Sequence, residues 1–319
     1  MAENTPFFVV GPGRSGSTLL RLILAGHSRI EIPPETWFIG PLVEQMPLNR
    51  TLSRDEVIEA VDIMTNNYRW PDMGIAAKYF RDCALALDEP NLVAVINLVY
   101  LDHLRRSGKP RFGDKTPPYI DIIPELCALY PSAKFINLVR DGRDVAISHI
   151  ELKWARRCYD RDFVWTQCMR RRDEYRHSPF DDRILDVKYE DLVADLEPTV
   201  RRICAFLEED FEDGMLAFKD RIDAVPQRER SIHGKLGKPV SRDAIGQWRS
   251  KLSALECFIM ESCMHRELRQ WEYPLRFSHR AWRPILGLSR QLLLGIGPLL
   301  RRGTLFLRRR NLMPQNIYI

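Results

Sequence analysis

The first 27 residues join a short apolar run, a glycine-rich loop and a helical pattern, and this succession limits the fold more than any other feature of the chain. Residues 7–11, FFVVG, are typical of a buried strand that ends in glycine. After the loop PGRSGS, residues 18–27 contain helix formers, an apolar face and a glycine that suits a helix end. A strand that continues through such a loop into a helix predicts an α/β fold with an anion-binding loop at its start.

Two later apolar runs have the same order of strand and helix. Residues 133–139 and 184–188 are rich in apolar and β-branched side chains, which predicts buried strands, and a helical pattern follows each of them. Helical spacing of apolar residues also covers most of 36–110 and residues 250–268, so we expect helical insertions there. Strands that alternate with helices predict a P-loop-type parallel sheet flanked by helices.

Charge is distributed unevenly along the 319 residues. Lys and Arg total 48 and Asp and Glu total 43, which gives a net charge of +5. From Arg276 onward there are nine arginines and no acidic residue, so residues 1–275 carry a net charge of −4. Because the basic excess belongs to the end of the chain, we predict a body at 1–275 that does not bind nucleic acid, followed by a basic tail at 276–319.

The tail contains an apolar run over 284–310 that arginines, glycines and a proline interrupt too often for a transmembrane helix. A basic amphipathic helix lying on an anionic membrane fits the pattern, and so does a terminal helix packed on the body or on the second subunit of a homodimer. The N-terminus lacks a signal-peptide pattern, and the seven cysteines include no CxxC pair, so neither secretion nor a zinc site is indicated. We expect a cytoplasmic protein, peripheral at the inner face of the membrane.

The loop at 11–18 differs at one position from the nucleotide-triphosphatase pattern GxxxxGK[ST]. Gly11, Gly16 and Thr18 fit that pattern, whereas Ser17 occupies the lysine position. An ordinary ATPase or GTPase is therefore disfavoured, although Arg14 supplies a positive charge from within the loop. Backbone N–H groups of the loop and of the helix that follows would still bind an anion.

Two motifs resemble those of sulfotransferases that use 3′-phosphoadenosine 5′-phosphosulfate (PAPS). GRSGSTLL resembles the family's 5′-phosphosulfate loop, and VRDGRDVAISH at 139–149 resembles the element that binds the donor's 3′-phosphate. The resemblance covers roughly residues 7–255 and is strongest to the branch that includes protein-tyrosine sulfotransferases and many bacterial enzymes. It implies metal-independent transfer of a sulfuryl group from PAPS to a hydroxyl or amine, with adenosine 3′,5′-bisphosphate as the other product.

The resemblance also implies roles for individual residues. Glu35, in IPPETWF, would be the general base, and burial among the neighbouring prolines and aromatic residues would raise its pKa. Lys115, in GDKTPPY, would stabilise the leaving phosphate, with Arg14 as a second cation. His27 is the rival base, although a histidine directly after a helix end is more typical of a surface loop. The residues implied to hold the donor are Arg14, Ser15, Gly16, Ser17, Thr18, Arg140, Ser148, Tyr189, Ser231 and Lys238.

The sequence leaves three functions open. A PAPS-dependent sulfotransferase agrees with all the motifs, a P-loop nucleotide kinase or NTPase would need a lysine at Ser17, and a non-catalytic, membrane-associated nucleotide-binding protein would need neither Glu35 nor Lys115. The acceptor would carry a hydroxyl group, as in a glycan, a lipid-linked glycan or a peptide tyrosine. Eight arginines between 156 and 183 would suit an acidic acceptor, and a solvated helix face is the alternative interpretation.

We predict that the full chain binds vesicles that contain anionic lipids and that a chain ending at Phe277 does not, because the truncation removes eight of the nine tail arginines. Cosedimentation with vesicles of the same size, with and without anionic lipid, measures the difference. Equal binding by the two chains would contradict a membrane role for the tail.

Overall fold

The structure, a computed structural model, describes residues 5–230 and 242–277. The chain divides into two compact units. The first unit comprises residues 1–140 with 167–245, and the second comprises residues 141–166 with 246–319. Ser231 and Lys238, together with the tail beyond Phe277, lie outside the described residues, so the roles predicted for them stay predictions.

The first unit contains a five-stranded sheet. Its strands are β1 (Phe7–Val10), β2 (Ile30–Glu31), β3 (Arg111–Lys115), β4 (Lys134–Val139) and β5 (Ile184–Lys188). They lie in the order β2-β3-β1-β4-β5, and every neighbouring pair is parallel. The predicted parallel α/β fold is therefore confirmed, and the central position of β1 places the glycine-rich loop between the carboxyl ends of β3 and β4.

Helices account for most of the remaining described residues, as the apolar spacing predicts. The α-helices are α1 (Ser17–Leu24), α2 (Ile39–Gln45), α3 (Arg54–Thr65), α4 (Trp70–Met73), α5 (Ala77–Leu85), α6 (Leu92–Ser107), α7 (Ile123–Leu129), α8 (Gly142–Glu151), α9 (Asp162–Tyr175), α10 (Tyr189–Ala194), α11 (Leu196–Leu207), α12 (Gln227–Arg230), α13 (Trp248–Lys251) and α14 (Ala254–Gln270). Short 3-10 helices lie at Pro117–Ile122, Asp181–Arg183, Asp213–Leu216, Phe218–Ala224 and Arg242–Ala244.

The core of the first unit forms around β1 and α1. All four residues of β1 are buried, and so is every residue of α1, because the strand is central and the helix lies beneath neighbouring segments on all sides. The apolar side chains of both elements pack in one cluster with residues of β4 and α11, such as Ile136 and Ile203. Each fully buried side chain of this size contributes about 1.5–3 kcal/mol of hydrophobic stabilisation. This packing fixes the start of α1, where the predicted anion loop ends.

The hydrophobic pattern misses two strands, the two-residue β2 and the longer β3. Strand β3 shows the reason. Three of the five residues in its sequence, RFGDK, are charged, yet Arg111, Asp114 and Lys115 are all buried. Arg111 donates to the carbonyl oxygens of Thr5 and Leu207 at 2.8 and 2.6 Å. Because these charges are satisfied inside the unit, the strand needs no apolar pattern to be buried.

The second unit is organised around Arg143, whose side chain is fully buried. Its guanidinium pairs with Asp141 at 2.7 Å and with Glu261 of α14 at 2.6 Å, and it lies 3.6 Å from the ring centroid of Trp248. It also donates to the carbonyl oxygen of Pro274 at 2.8 Å. The sequence element RDGRD is therefore not a solvated turn in this region, since its second arginine joins α8 to α14 through buried ion pairs.

Glu261 also holds the last described residues. Its two carboxylate oxygens accept hydrogen bonds from the backbone N–H groups of Arg276 and Phe277, at 2.8 and 3.0 Å. Asp144, near the start of α8, accepts from the backbone N–H groups of Gly246 and Trp248 at 2.6 and 2.9 Å. These carboxylates serve the packing of the second unit.

Over residues 5–230 and 242–277, no helix is both long enough and apolar enough to cross a membrane. Within those residues, the structure also places no three or more His, Cys, Asp or Glu side chains where they could hold a metal ion together.

We predict that Arg143→Met lowers the free energy of unfolding by about 3–5 kcal/mol, because it leaves two buried carboxylates without their cation. Urea unfolding followed by tryptophan fluorescence measures the change, and Trp248 lies beside the substituted side chain. Arg50→Ala is the control, since Arg50 forms an exposed ion pair with Glu56 and its loss should hardly move the transition. A similar, small effect of both substitutions would show that the Arg143 pairs do not stabilise the second unit.

Candidate active site

The loop after β1 depends on three residues with left-handed backbone. Gly11, Arg14 and Gly16 have φ values of 125°, 68° and 89°. A side chain at Gly11 would place its Cβ 2.6 Å from the carbonyl oxygen of Leu138, and one at Gly16 would place it 2.5 Å from the ring of Tyr189. Both glycines are therefore required by close approach as well as by backbone conformation.

The loop leads into α1 with groups that suit an anion. Gly16 occupies the position before the helix, and no side chain caps the N–H groups at this described helix start. Ser15 is fully buried, and its Oγ has no hydrogen-bond partner among the described residues. A buried hydroxyl of this kind costs free energy unless a ligand satisfies it. The residues thus fit the phosphate or sulfate group of a bound donor.

Arg140 and Tyr189 lie against this loop, where the predicted donor site requires them. Arg140 follows β4 directly, and its guanidinium donates to the carbonyl oxygens of Arg14 at 3.2 Å and of Ala244 at 2.6 Å. The same guanidinium lies 4.8 Å from the ring centroid of Tyr189, the first residue of α10. The sheet therefore brings together the ends of β1, β4 and β5. The side chain of Arg140 stabilises the loop through a hydrogen bond to the backbone of Arg14.

Glu35 and Lys115 form an ion pair beside the loop. Lys115, at the end of β3, is fully buried and donates from Nζ to Oε1 of Glu35. Its Nζ also lies 3.4 Å from Oγ1 of Thr18, in the first turn of α1. The predicted base and the predicted catalytic lysine are thus in contact, and the lysine connects the carboxylate to the anion loop.

The other oxygen of Glu35 has partners that the motifs do not predict. Oε2 accepts a hydrogen bond from Arg69 at 2.7 Å and another from Nε1 of Trp37 at 2.7 Å. Arg69 comes from the segment between α3 and α4, 34 residues further along the chain. Nothing in the local sequence marks this arginine, because only the packing of the helical insertion brings it to Glu35.

These cations decide the charge of Glu35. Burial alone would raise the pKa of this carboxyl, but the charges of Lys115 and Arg69 outweigh burial and lower its pKa to about 2. The expectation of a raised pKa is therefore wrong. That expectation assumed that apolar side chains surround Glu35, whereas two buried cations face its carboxylate.

A buried polar network supports the pair from behind. Asp114, which precedes Lys115, accepts hydrogen bonds from Thr36 at 2.8 Å and from Tyr100 at 2.7 Å. Thr36, which follows Glu35, also donates from its backbone N–H to Thr116 at 3.2 Å. Burial raises the pKa of Asp114. The network ties the neighbours of Glu35 and Lys115 together, and an aspartate within a short strand was the sequence signal that could have revealed it.

His27 and Ser148 were also singled out in the sequence, and the structure tests only the first of them. His27, the rival base, is buried, and its two ring nitrogens contact the carbonyl oxygen of Asp210 at 2.8 Å and the backbone N–H of Arg29 at 3.0 Å. Its role is therefore structural. Ser148 lies on α8 in the second unit, and its predicted contact with the donor stays a prediction.

Comparisons with known proteins decide the family. The model of the Sulfotransferase family matches residues 6–213. The chain belongs to this family. The family prediction made from the two motifs is thus confirmed.

Two curated relatives are protein-tyrosine sulfotransferases. That of Drosophila melanogaster is 27% identical over 262 residues, which cover 77% of this chain and 47% of the relative. Protein-tyrosine sulfotransferase 1 of Danio rerio is 26% identical over 266 residues, which cover 77% of this chain and 66% of the relative. The chain spans between about a third and two thirds of the length of the curated relatives it matches first.

Two solved structures share the fold of this chain. The sulfotransferase domain from the curacin biosynthetic pathway has a TM-score of 0.61 and 22% identity, covering 85% of this chain and 99% of the domain. The sulfotransferase domain from the Synechococcus PCC 7002 olefin synthase has a TM-score of 0.59 and 22% identity, covering 82% and 94%. At this identity the likeness concerns the fold.

We predict that Gly16→Ala weakens binding of adenosine 3′,5′-bisphosphate by roughly tenfold or more, because the left-handed φ and the ring of Tyr189 both oppose a Cβ. Gly13→Ala is the matched control in the same loop, since its Cβ would meet no atom within 4 Å. Calorimetric titration measures both affinities. If Gly16→Ala binds as tightly as Gly13→Ala, the loop does not need its close approach to Tyr189 for nucleotide binding.

Proposed function

We propose that this sulfotransferase transfers a sulfuryl group from PAPS to a hydroxyl-bearing acceptor, with Glu35 as the general base. One observation carries the proposal: the buried Nζ of Lys115 is within hydrogen-bond reach of both Glu35 and Thr18 of the anion loop. This lysine therefore stands between the place where a sulfonate would be bound and the carboxylate that would take a proton. An NTPase would instead require a lysine inside the loop, where Ser17 lies.

The residues around the loop suit the two ends of the donor. Ser15, the uncapped N–H groups at the start of α1 and Thr18 would hold the 5′-phosphosulfate, while Arg140 and Tyr189 would hold the part that carries the 3′-phosphate and the base. When bound, the donor supplies an activated sulfuryl group whose transfer leaves a phosphate. Lys115 would stabilise the negative charge that grows on that phosphate.

Glu35 would take the proton of the acceptor hydroxyl. Because Lys115 and Arg69 lower its pKa to about 2, the carboxylate is ionised throughout the neutral range, and it becomes a stronger proton acceptor when Lys115 turns to the donor. Glu35 is protonated, and lost as a base, only as the pH falls towards that pKa. Neutral and alkaline conditions leave this group unchanged.

Three classes of acceptor carry a hydroxyl group that suits the proposed reaction: a glycan, a lipid-linked glycan and a peptide tyrosine. The rings of Trp37 and Tyr68 lie 6.1 Å apart, and Trp37 donates to Glu35, so a partly exposed aromatic pair lies next to the base. Such rings favour an acceptor that carries an aromatic or sugar ring. The relatives named protein-tyrosine sulfotransferases support a peptide tyrosine to the same extent.

Three of the eight arginines expected to favour an acidic acceptor form ion pairs within the first unit. Arg172 pairs with Asp181 and Asp186 at 2.7 and 2.8 Å, and Arg176 lies 3.5 Å from Asp186. Arg171 pairs with Glu174 at 2.7 Å. These three arginines therefore serve the structure of the first unit, and Arg172 is buried rather than part of a solvated helix face. We also propose a cytoplasmic location at the inner face of the membrane, and the basic pattern of the tail supports it.

We expect the protein to bind adenosine 3′,5′-bisphosphate in calorimetric titrations without added metal, and not to bind ATP with Mg²⁺, because the loop lacks the NTPase lysine. In a second arm, labelled PAPS is incubated with a panel of phenols and oligosaccharides. Glu35→Gln should reduce transfer by about a hundredfold or more while the bisphosphate still binds, because the amide keeps the shape but not the base.

Binding of ATP with Mg²⁺ in place of the bisphosphate would show that the loop is a phosphate site for a different reaction. Transfer that survives in Glu35→Gln would remove Glu35 from the mechanism while leaving the donor assignment intact.

A further inference from the structure

Arg69 is a buried cation that neither sequence motif includes. Its side chain is 8% exposed, and it donates to Oε2 of Glu35 at 2.7 Å while also facing Asp72 at 3.4 Å. It lies just before α4, in the helical insertion between β2 and β3. A buried guanidinium is retained when its charge is paired, and here the pairing partner is the base proposed above.

The two oxygens of Glu35 have different kinds of partner. Oε2 is held by Arg69 and by Trp37, both at 2.7 Å. Trp37 adopts a left-handed φ of 51°, which costs free energy for a side chain of this size. Oε1 faces Lys115, which also reaches Thr18 at the anion loop. One oxygen is thus anchored by the insertion, and the other is paired with a lysine that serves the donor side.

A lysine that binds the donor cannot keep its full contact with Oε1. When Lys115 turns to the donor's phosphate, Oε1 loses its partner while Oε2 keeps both of its own. We propose that Arg69 is a positioning residue for Glu35: it anchors Oε2 and keeps the carboxylate ionised, so that Oε1 is the atom that receives the acceptor's proton. This inference rests on the proposed function, because it assigns the transferred proton to one atom of the proposed base.

In the proposed transfer, each bond that breaks has a defined destination for its proton or its electron pair. The acceptor's O–H bond breaks, and its proton goes to Oε1 of Glu35. The electron pair of that bond forms the new bond between oxygen and sulfur. The bond between sulfur and the donor's phosphate breaks, and its electron pair leaves with the phosphate, which Lys115 stabilises.

Charged groups from every neighbouring element show why a second cation is needed. Besides Lys115 on β3, Glu35 faces Asp114 on β3, and Arg69 is shared with Asp72 on α4. Burial raises the pKa of Asp114, and the charge of Glu35 raises it further. Without Arg69, the departure of Lys115 would leave a buried carboxylate beside another acidic group, and Glu35 would take up a proton from solvent.

The test is the number of protons taken up when adenosine 3′,5′-bisphosphate binds. Calorimetric titration in buffers of different ionisation enthalpy, near neutral pH, measures this number without any acceptor. For the natural chain we expect uptake close to zero, because Arg69 keeps Glu35 ionised. For Arg69→Met we expect uptake that approaches one proton, on the order of the single carboxylate involved. Arg69→Lys should restore the natural value, and Arg69→Met combined with Glu35→Gln should abolish the uptake.

Arg172→Met is the matched control. Arg172 is also a buried arginine of the first unit paired with two carboxylates, Asp181 and Asp186, but it does not contact Glu35. We expect its bisphosphate binding to show the proton uptake of the natural chain. A loss of buried charge in general would change both variants alike, whereas a role at Glu35 changes only Arg69→Met.

Trp37→Phe carries the test if Arg69→Met does not fold, since it removes the other donor to Oε2 and should give intermediate proton uptake. Bisphosphate binding without additional proton uptake in the variants that fold would overturn the role of Arg69. Absence of bisphosphate binding by the natural chain would instead contradict the proposed donor, so the two failures are distinguishable.

Discussion

A fully buried lysine is stable only where a negative charge faces it, and the candidate site is built around one such contact, between Lys115 and Glu35. Lys115 ends β3, and Glu35 belongs to the segment that follows β2, so the pairing of these two neighbouring strands sets the distance between the charges. The network of Asp114 with Thr36 and Tyr100 then fixes the backbone on both sides of the pair. The cations and carboxylates of the site thus satisfy one another.

The sequence reveals those parts of the fold that an apolar pattern marks. Strands β1, β4 and β5 and the helical insertion lie where the pattern places them. Strand β3 is different: Arg111 and Lys115 are buried through ion pairs and hydrogen bonds with residues that are distant in the chain. A reading based on hydrophobicity cannot find such a strand, because the compensation for its charges exists only in the folded unit.

The candidate site shows the same division between local and distant information. The loop pattern marks the anion loop, the resemblance to sulfotransferases singles out Glu35 and Lys115, and the structure brings these residues together. The electrostatics of Glu35 could not be predicted in this way. Neighbouring prolines and aromatic residues suggested an apolar environment, yet Arg69 arrives from a different segment and reverses the direction of the pKa. Motifs therefore locate reacting groups, whereas tertiary packing decides their charge.

The hydrogen bonds between Glu261 and the N–H groups of Arg276 and Phe277 have a mechanical consequence. Eight of the nine tail arginines follow Phe277, and a force that pulled on the backbone at Phe277 would reach the second unit at this carboxylate. Glu261 is paired with Arg143, and Arg143 with Asp141. The load would pass along a line of buried charges to the start of α8. A tether fastened in this manner resists peeling, because detaching it means separating charges away from water.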